Sequence, residues 1–152
     1  MRRAAAAAGD IRAETAEVVA LLCNDAVHVC RRPRPGVWSP LEYACHLRDV
    51  LLVQRERVLA ARRVNGADCA PMGREERAEH EGYNEQDPTA VARQLTDAAA
   101  LFANVLTRLS AADWDRTVVY HYPATSEQSL RWVAVHTAHE LQHHLLDIRR
   151  QL

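Results

Sequence analysis

The C-terminal stretch from Leu130 to Leu152 repeats apolar residues at the spacing of an α-helix, and a stripe of polar residues runs beside them. A helix advances about 100° per residue, so residues three or four apart share a face. The stripe borders the apolar face, points away from the arginines and is centred on Glu140. This pattern predicts a helix that packs in a bundle with a polar seam beside its core. The other groups within about 60° of Glu140 are His136, His143, His144 and Asp147.

The polar stripe has two interpretations. A solvated helix face collects histidine and glutamate by chance, and His139, about 100° from Glu140, is typical of such a surface. However, six imidazole or carboxylate groups fall within the twelve residues 136–147, and several stand one turn apart. That density favours a metal site. Because one helix supplies at most two ligands at this spacing, a third ligand must come from another helix.

A second helix is predicted from its start signal. Ser39-Pro-Leu-Glu42 is a capping box with proline at the first helical position, and Trp38 before it can pack on Tyr43. The helix is therefore expected to begin at Pro40 and to run towards Arg63.

His46 on this second helix is the best candidate for the third ligand. Its imidazole shares a direction with Tyr43, Val50 and Val53, which places it towards the interior. A buried histidine needs a partner for its ring nitrogens, and a backbone carbonyl or an acidic side chain is the commoner one. Beside a helix rich in carboxylates and imidazoles, metal binding is the simpler account. Asp49 is then a candidate for orienting a metal ligand through a hydrogen bond, without binding the metal itself.

The remaining helices follow from caps and periodicity. Asp87-Pro88 opens a third helix, and Thr125-x-x-Gln128 is the predicted cap of the fourth, which carries the polar stripe. With 152 residues, 48% of them hydrophobic, and a single phenylalanine, the chain is expected to form one domain over residues 1–152. The predicted fold class is all-α, an up-down four-helix bundle with a long connection between helices 2 and 3. The first helix is marked by Ile11, Thr15, Val18, Val19, Leu22, Ala26 and Val29.

Two connections are longer than a helix hairpin needs. Residues 64–86 join helices 2 and 3, with a short helix expected around Arg74 to Glu79, and residues 111–124 contain the extended run Thr117 to Pro123. Loops of this length often cover a site, and an ordinary surface excursion is an equal alternative. The candidate substrate or cofactor contacts in the second connection are Tyr120, His121 and Tyr122.

Charge and cysteine content exclude several classes of function. The formal net charge is −1, so no strong field attracts nucleic acid or an anionic membrane. No basic residue is lysine, which excludes a Schiff base. The four cysteines form no zinc-ribbon pattern and are expected to be free, buried thiols in a reducing cytoplasm, with Cys23 and Cys30 on the first helix. The N-terminal alanine run is expected to be a frayed end, and nothing approaches the length of a transmembrane helix.

Two motifs resemble those of a known family. They are Trp38-Ser-Pro-Leu-Glu-Tyr-Ala-Cys-His46-Leu-Arg-Asp49 on the second helix and His139-Glu140-x-x-His143-His144-x-x-Asp147-Ile148 on the last. Both are similar to the DinB-like superfamily, and within it to the branch that includes mycothiol-dependent maleylpyruvate isomerase. The resemblance extends from about residue 10 to the end of the chain. It implies an up-down four-helix bundle with a long second connection and a divalent metal, often zinc or nickel.

The resemblance also implies a ligand set. The family holds its metal with one histidine from the second helix and two groups one turn apart on the last, which correspond here to His46, Glu140 and His144. Many relatives carry histidine at the position of Glu140, whereas the mycothiol isomerase type carries glutamate. The pair His139 and His143 preserves the spacing but lies at the outer edge of the face, and it stays open as the alternative.

This donor set suggests a chemistry. Two imidazoles and one carboxylate leave a divalent ion with net positive charge and open positions, which lowers the pKa of a bound water or thiol. In relatives that this chain resembles, the nucleophile is a low-molecular-weight thiol such as mycothiol or bacillithiol. The predicted function is therefore a metal-dependent thiol S-transferase or isomerase that acts on an electrophilic small molecule.

Two alternatives stay open. A metal-dependent hydrolase would use His143 or Asp147 as the catalytic proton shuttle. A non-catalytic metal-binding or ligand-binding stress protein would need neither residue, and the lack of a basic patch argues against DNA as its partner. Relatives are often dimers, so a homodimer is compatible with an apolar helix face left uncovered.

Overall fold

The computed structural model describes residues 2–24, 28–121 and 123–152. Within these residues, five helices and three short strands follow one another, with single 3-10 turns at Tyr83–Glu85 and Asp113–Asp115. In chain order the elements are α1 (Arg2–Leu22), α2 (Pro40–Arg63), β1 (Ala67–Cys69), α3 (Arg74–His80), α4 (Pro88–Thr107), β2 (Thr117–Tyr120), β3 (Ser126–Ser129) and α5 (Leu130–Arg149).

The four long helices form a bundle in which α1 and α2, although consecutive in the chain, lie diagonally opposite each other. Both α1 and α2 pack against α4 and α5, whereas α1 and α2 touch only marginally. The predicted four-helix bundle is thus present, but a simple up-down order, in which each helix packs on the next, is not. The core between the helices includes Ile11, Leu41, Leu51, Leu95, Phe102, Leu141 and Ile148, all fully buried.

The start and end of α2 agree with the prediction from its capping box. The backbone N–H of Glu42 donates to Oγ of Ser39 at 3.2 Å, and the N–H of Ser39 donates to the Glu42 carboxylate at 2.8 Å. Arg32 forms an ion pair with the same carboxylate. The rings of Trp38 and Tyr43 meet edge to face with centroids 5.6 Å apart. These contacts fix the rotation of α2 and hence the direction of every side chain on it.

A small sheet corrects the all-α prediction. Strand β1 pairs in parallel with β2, and β2 pairs antiparallel with β3, with Tyr120 opposite both Cys69 and Ser126. The extended run was recognised in the sequence, but its partners were not, because β1 and β3 have only three and four residues and little apolar patterning. Alternate residues of β2, Val118 and Tyr120, are buried in the core, so the sheet covers one end of it.

The cap of α5 is Ser129, not Thr125. The Ser129 hydroxyl accepts a hydrogen bond from the N–H of Trp132 at 3.3 Å. Residues 126–129 are strand β3, so Gln128, the expected partner in the cap, pairs with Val118 of β2 instead. A cap motif four residues earlier was mistaken for the helix start because a strand leads into α5 without a loop.

The N-terminal predictions also need correction. Helix α1 begins at Arg2, and three of the five alanines expected to fray, Ala4, Ala7 and Ala8, are packed into the bundle, with Ala7 only 1% exposed. The helix ends at Leu22, so Cys23 and Cys30 lie outside it; both are free and exposed, whereas Cys45 and Cys69 are free and buried. Val29 is buried beyond the helix end. Ala26 and Tyr122 lie outside the described residues.

Helix α4 and the long connection before it agree with the prediction. The side chain of Asp87 accepts from the N–H of Ala90 at 2.7 Å, and Pro88 occupies the first turn. The connection contains β1, the short helix expected at its centre, now α3, and a 3-10 turn. None of the described helices is both long and apolar enough to cross a membrane.

A buried polar network ties the connection to α2 and gives Asp49 a role other than the predicted one. The Asp49 carboxylate accepts hydrogen bonds from Arg48 and from the hydroxyl of Tyr83. Arg48 also donates to Gln86 and Gln94, at 2.8 Å each. Burial and the adjacent carboxylate raise the pKa of Tyr83, so its hydroxyl stays a donor. Asp49 thus anchors the connection rather than orienting His46.

The environment of Glu14 on α1 predicts that the stability of the folded protein depends on pH. One of its carboxylate oxygens is buried without a hydrogen-bond partner among the described residues. Burial, then the charges of Asp10 and Glu17, raise its pKa to about 7. A carboxyl whose pKa is raised on folding destabilises the folded state as pH rises from the unfolded value towards 7 and above. Glu14→Gln should therefore stabilise the protein by roughly 1–2 kcal/mol at about pH 8, after allowance for partial exposure.

Urea unfolding of the wild type and Glu14→Gln at about pH 8 and about pH 4.5 measures this effect. The gain should shrink at the lower pH, where the wild-type carboxyl is protonated in the folded state. The exposed Glu85 provides the matched control, and Glu85→Gln should show no such pH-dependent difference. Equal stability of Glu14→Gln and wild type at the higher pH would contradict the prediction.

Candidate metal centre

Three donor groups from α2 and α5 meet at one place. Single ligand atoms of His46, Glu140 and His144 all lie within 4.8 Å of one another. The rings of His46 and His144 stand edge to face with centroids 5.2 Å apart, and Nε2 of His144 lies 3.6 Å from a carboxylate oxygen of Glu140. The packing of α2 on α5 therefore brings together the residues that the helical spacing indicated.

His46 is held inside the protein as a neutral ring. It is 4% exposed, and its Nδ1 is buried with no hydrogen-bond partner among the described residues. Burial is the main cause that lowers its pKa to about 3, and the nearby side chains of His144 and Arg74 act in the same direction. A neutral imidazole with an unpaired buried nitrogen is the form that binds a metal ion.

Glu140 provides the negative charge of the group. Its contact with His144 is the main cause that lowers its pKa, to about 2, and this outweighs burial, which raises it. His136 and His46 act in the same direction as His144. The side chain of Glu140 is 31% exposed, whereas that of His144 is 7% exposed. The group therefore opens to solvent on the side of Glu140.

Asp147 contacts the far side of His144. Nδ1 of His144 lies 3.1 Å from a carboxylate oxygen of Asp147, which can only accept when ionised, so this geometry favours a proton on Nδ1 and a free lone pair on Nε2. The pair matches the arrangement in which a carboxylate orients a metal-binding histidine. His143 lies 3.5 Å from the same carboxylate with its own side chain 56% exposed. The catalytic roles predicted for His143 and Asp147 stay predictions.

The alternative ligand pair lies on the surface. His139 and His143 are both exposed, and their rings stack with centroids 6.4 Å apart. A second group of possible ligands, His143 with His144 and Asp147, shares His144 with the first and is more exposed. Neither His139 nor His143 lies in the group that contains His46.

Two of the three residues predicted to contact a substrate or cofactor, Tyr120 and His121, are described, and their side chains face different directions. Tyr120 is 9% exposed, and its hydroxyl donates to the side chain of Gln54 at 2.9 Å. His121 is on the surface, where its ring contacts Asp68 at 2.5 Å and Thr125 at 3.2 Å. Tyr120 thus faces the α2 side of the protein while His121 faces outward, and binding by either stays a prediction.

Aromatic side chains that the sequence suggested only as a helix cap line one wall of the centre. The Trp38 ring packs edge to face on His46 at 5.3 Å, and Tyr43 lies against His144 at 5.1 Å. The Arg74 guanidinium, from α3, sits 4.2 Å from the centre of the Trp38 ring. The hydrophobic staple at the start of α2 therefore also shields the imidazoles from water on that side.

The residues present fit a divalent metal ion. Donor atoms that share a zinc ion lie about 2 Å from it and hence at most about 4 Å from one another, close to the limit observed here. Two imidazoles and one carboxylate suit zinc or nickel, because imidazole nitrogen is a preferred ligand of both ions and zinc also accepts a carboxylate oxygen. Three protein ligands on a partly open surface are typical of a catalytic rather than a closed structural site.

Comparison with known proteins places the chain in a family. The family model described as the DinB superfamily matches residues 9–148. The chain belongs to the DinB superfamily. None of the curated proteins matches this sequence.

Two solved structures share this DinB fold. YfiT from Bacillus subtilis, described as a probable metal-dependent hydrolase with an unusual four-helix bundle topology, has a TM-score of 0.80 at 16% identity over 99% of this chain and 84% of its own. The mycothiol-dependent maleylpyruvate isomerase has a TM-score of 0.73 at 15% identity over 93% of this chain. The chain spans only 59% of that isomerase. At these identities the similarity shows the fold alone.

The contact between Asp147 and His144 predicts a loss of metal affinity without loss of fold. Asp147→Asn keeps the shape of the side chain but removes the charge that holds the Nδ1 proton of His144. Zinc affinity should fall by about 10–100-fold, the usual effect of removing such a partner. A competition titration against a chromogenic chelator measures it. Asp97→Asn, on the exposed face of α4, is the control, and equal affinities in the two variants would contradict this role.

Proposed function

We propose that this protein is a metal-dependent enzyme that uses a low-molecular-weight thiol, of the mycothiol or bacillithiol kind, as a nucleophile towards an electrophilic small molecule. The reaction is either S-transfer to that molecule or its isomerisation. The metal ligands are His46, Glu140 and His144, and the metal is zinc or nickel. A cytoplasmic location and a homodimer also remain predictions.

One observation carries the metal-dependent part of this proposal. The ligand atoms of three residues from two helices converge within 4.8 Å, and one of the three, Glu140, faces solvent. A bound divalent ion supplies Lewis acidity, which lowers the pKa of a thiol or water at its open position. The open side at Glu140 is where a small molecule could approach.

The surrounding residues have separate tasks. Burial keeps His46 neutral, so its imidazole can bind a metal ion without first losing a proton. Asp147 fixes the ring orientation of His144. Trp38 packs on the ring of His46 and Tyr43 on that of His144, and both exclude water from the imidazoles on that side. A fixed set of ligands shielded on one side and open on the other directs the reacting group to the open side.

The thiol is supported by similarity rather than by geometry. The mycothiol-dependent isomerase shares the fold over 93% of this chain, and glutamate stands at the position that the mycothiol type is expected to carry. Cys45 does not replace an added thiol, because burial raises its pKa to about 12 and its thiol packs against the backbone of Tyr83. A small-molecule thiol is therefore the nucleophile in this proposal, rather than Cys45.

A metal-dependent hydrolase is the second candidate. It is favoured by the similarity to YfiT, which covers 99% of this chain, and by His143, whose half-exposed ring beside Asp147 could move a proton to solvent. The third reading, a non-catalytic metal-binding protein, would make the metal a structural element. Chelation would then unfold the protein, whereas removal of a catalytic ion should cost only modest stability.

Elemental analysis tests the ligand set directly. The wild type should hold about one equivalent of zinc or nickel, and His46→Ala, Glu140→Ala and His144→Ala should each lose it, because two ligands hold a divalent ion far less tightly than three. His139→Ala is the matched control on the same helix and should keep full occupancy. Loss in His139→Ala with retention in His46→Ala would show that the alternative pair binds the metal.

A cobalt-substituted protein tests the thiol. Addition of mycothiol or bacillithiol should produce a new sulfur-to-cobalt charge-transfer band in the near ultraviolet, since a thiolate is a good ligand for this ion. His144→Ala, with its site removed, should show no band. The thiol proposal would be wrong if neither thiol changed the cobalt spectrum. If the protein also hydrolysed an ester or amide and Glu140→Ala lost that activity, the hydrolase would take its place.

A further inference from the structure

We propose that Arg57, Tyr120 and Trp132 form a substrate subsite beside the metal centre that binds a carboxylate attached to a flat, conjugated body. This subsite would define the class of substrate for the function proposed above, and its role in catalysis rests on that function. Its ability to bind such a molecule can be measured separately.

The subsite lies along the same helix faces as the metal ligands. On α5, Trp132, His136 and Glu140 occupy successive turns of one face. On α2, Arg57 follows His46 by eleven residues, so the two side chains point within about 20° of each other and stand about 16 Å apart along the axis. Since α2 packs on α5, both rows border the same surface.

Aromatic groups give this surface a fixed flat wall. The rings of Trp132 and His136 are stacked, with centroids 4.3 Å apart and planes 13° from parallel. Tyr120 meets Trp132 edge to face at 5.4 Å. Although these contacts hold its ring, Trp132 remains 38% exposed. An indole that is held rigidly but stays partly exposed is common where an apolar ligand binds.

Arg57 places a positive charge at the edge of this wall. Its guanidinium lies 4.7 Å from the centre of the Tyr120 ring and donates to the carbonyl of Ala70 at 2.8 Å. A longer contact of 3.4 Å joins it to the Gln54 side chain. These acceptors are neutral, and among the described residues no carboxylate lies within the 4.0 Å of an ion pair with Arg57. The half-buried charge is therefore held in place without a counter-ion.

The combination matches one class of ligand. A carboxylate neutralises an arginine and accepts two of its N–H groups, and a conjugated body stacks on an exposed indole. The open side of the metal centre at Glu140 lies two turns of α5, about 12 Å, from Trp132. A molecule with its carboxylate on Arg57 can thus extend its conjugated end along His136 towards the metal ligands.

Binding of trans-cinnamate to the zinc-loaded full-length protein tests this subsite. Isothermal titration calorimetry compares it with cinnamamide, which has the same flat body without the charge. Arg57→Gln should weaken cinnamate about tenfold, equivalent to about 1.4 kcal/mol, and leave cinnamamide unchanged. Arg57→Lys should keep most of the affinity because it keeps the charge. Arg12→Gln, on the exposed face of α1, is the control and should bind both molecules like the wild type.

The ratio of the two affinities separates binding from a structural role. If Arg57 merely fastened β1 to α2, Arg57→Gln would weaken cinnamate and cinnamamide equally, and that outcome would overturn the proposal. Trp132→Ala should weaken both molecules, because both lose the flat surface. Wild-type protein that does not bind cinnamate saturably, or an Arg57→Gln variant that binds it like the wild type because the carboxylate sits on the metal, would also overturn it.

The same variants distinguish this proposal from the one on function. The thiol response of the cobalt-substituted protein should be unchanged in Arg57→Gln, because Arg57 does not touch the metal ligands. Arg57-dependent cinnamate binding without any thiol response would leave the subsite and remove the thiol chemistry. A thiol response together with cinnamate binding that ignores Arg57 would leave the chemistry and remove the subsite.

Discussion

The packing of α2 against α5 is the contact on which the rest of the site depends. It buries His46 with its ring centroid 5.2 Å from that of His144, and this burial keeps the His46 imidazole neutral. The same contact brings Glu140 close enough to offset two imidazoles with one negative charge. Because α4 packs on α2 and α1 packs on α5, apolar packing between helices holds in place the two helices that carry the polar seam.

Much of the site could be predicted from the sequence because it depends on helical spacing and on one cap. Glu140 and His144 are one turn apart on a strongly patterned helix, and the capping box at Ser39 fixes the phase of α2, which turns His46 inward. The elements that escaped prediction are those set by pairing between distant segments. Strands β1 and β3 are too short to show a period of two, and their partners are about fifty and about ten residues away in the chain.

The order of the helices around the bundle shows a second limit of the sequence. The connection between α1 and α2 is long enough to reach either an adjacent or a diagonal position, and no local signal distinguishes the two. Partner residues such as Arg57 and Trp132 were missed for the same reason. Each looks like an ordinary surface residue on its own helix. The two are linked only by Tyr120, which contacts both and is positioned by the pairing of β2 with its neighbouring strands.

The junction between β3 and α5 has a consequence for how this fold can vary. Ser129 is both the last residue of a strand in fixed register with β2 and the cap of the helix that carries Glu140 and His144. One residue inserted there would turn the whole helix by about 100° and move both side chains off the seam. Between β2 and α5, changes in chain length are therefore tolerated only before β3, and the site should persist through large changes in sequence while the junction of β3 and α5 keeps its length.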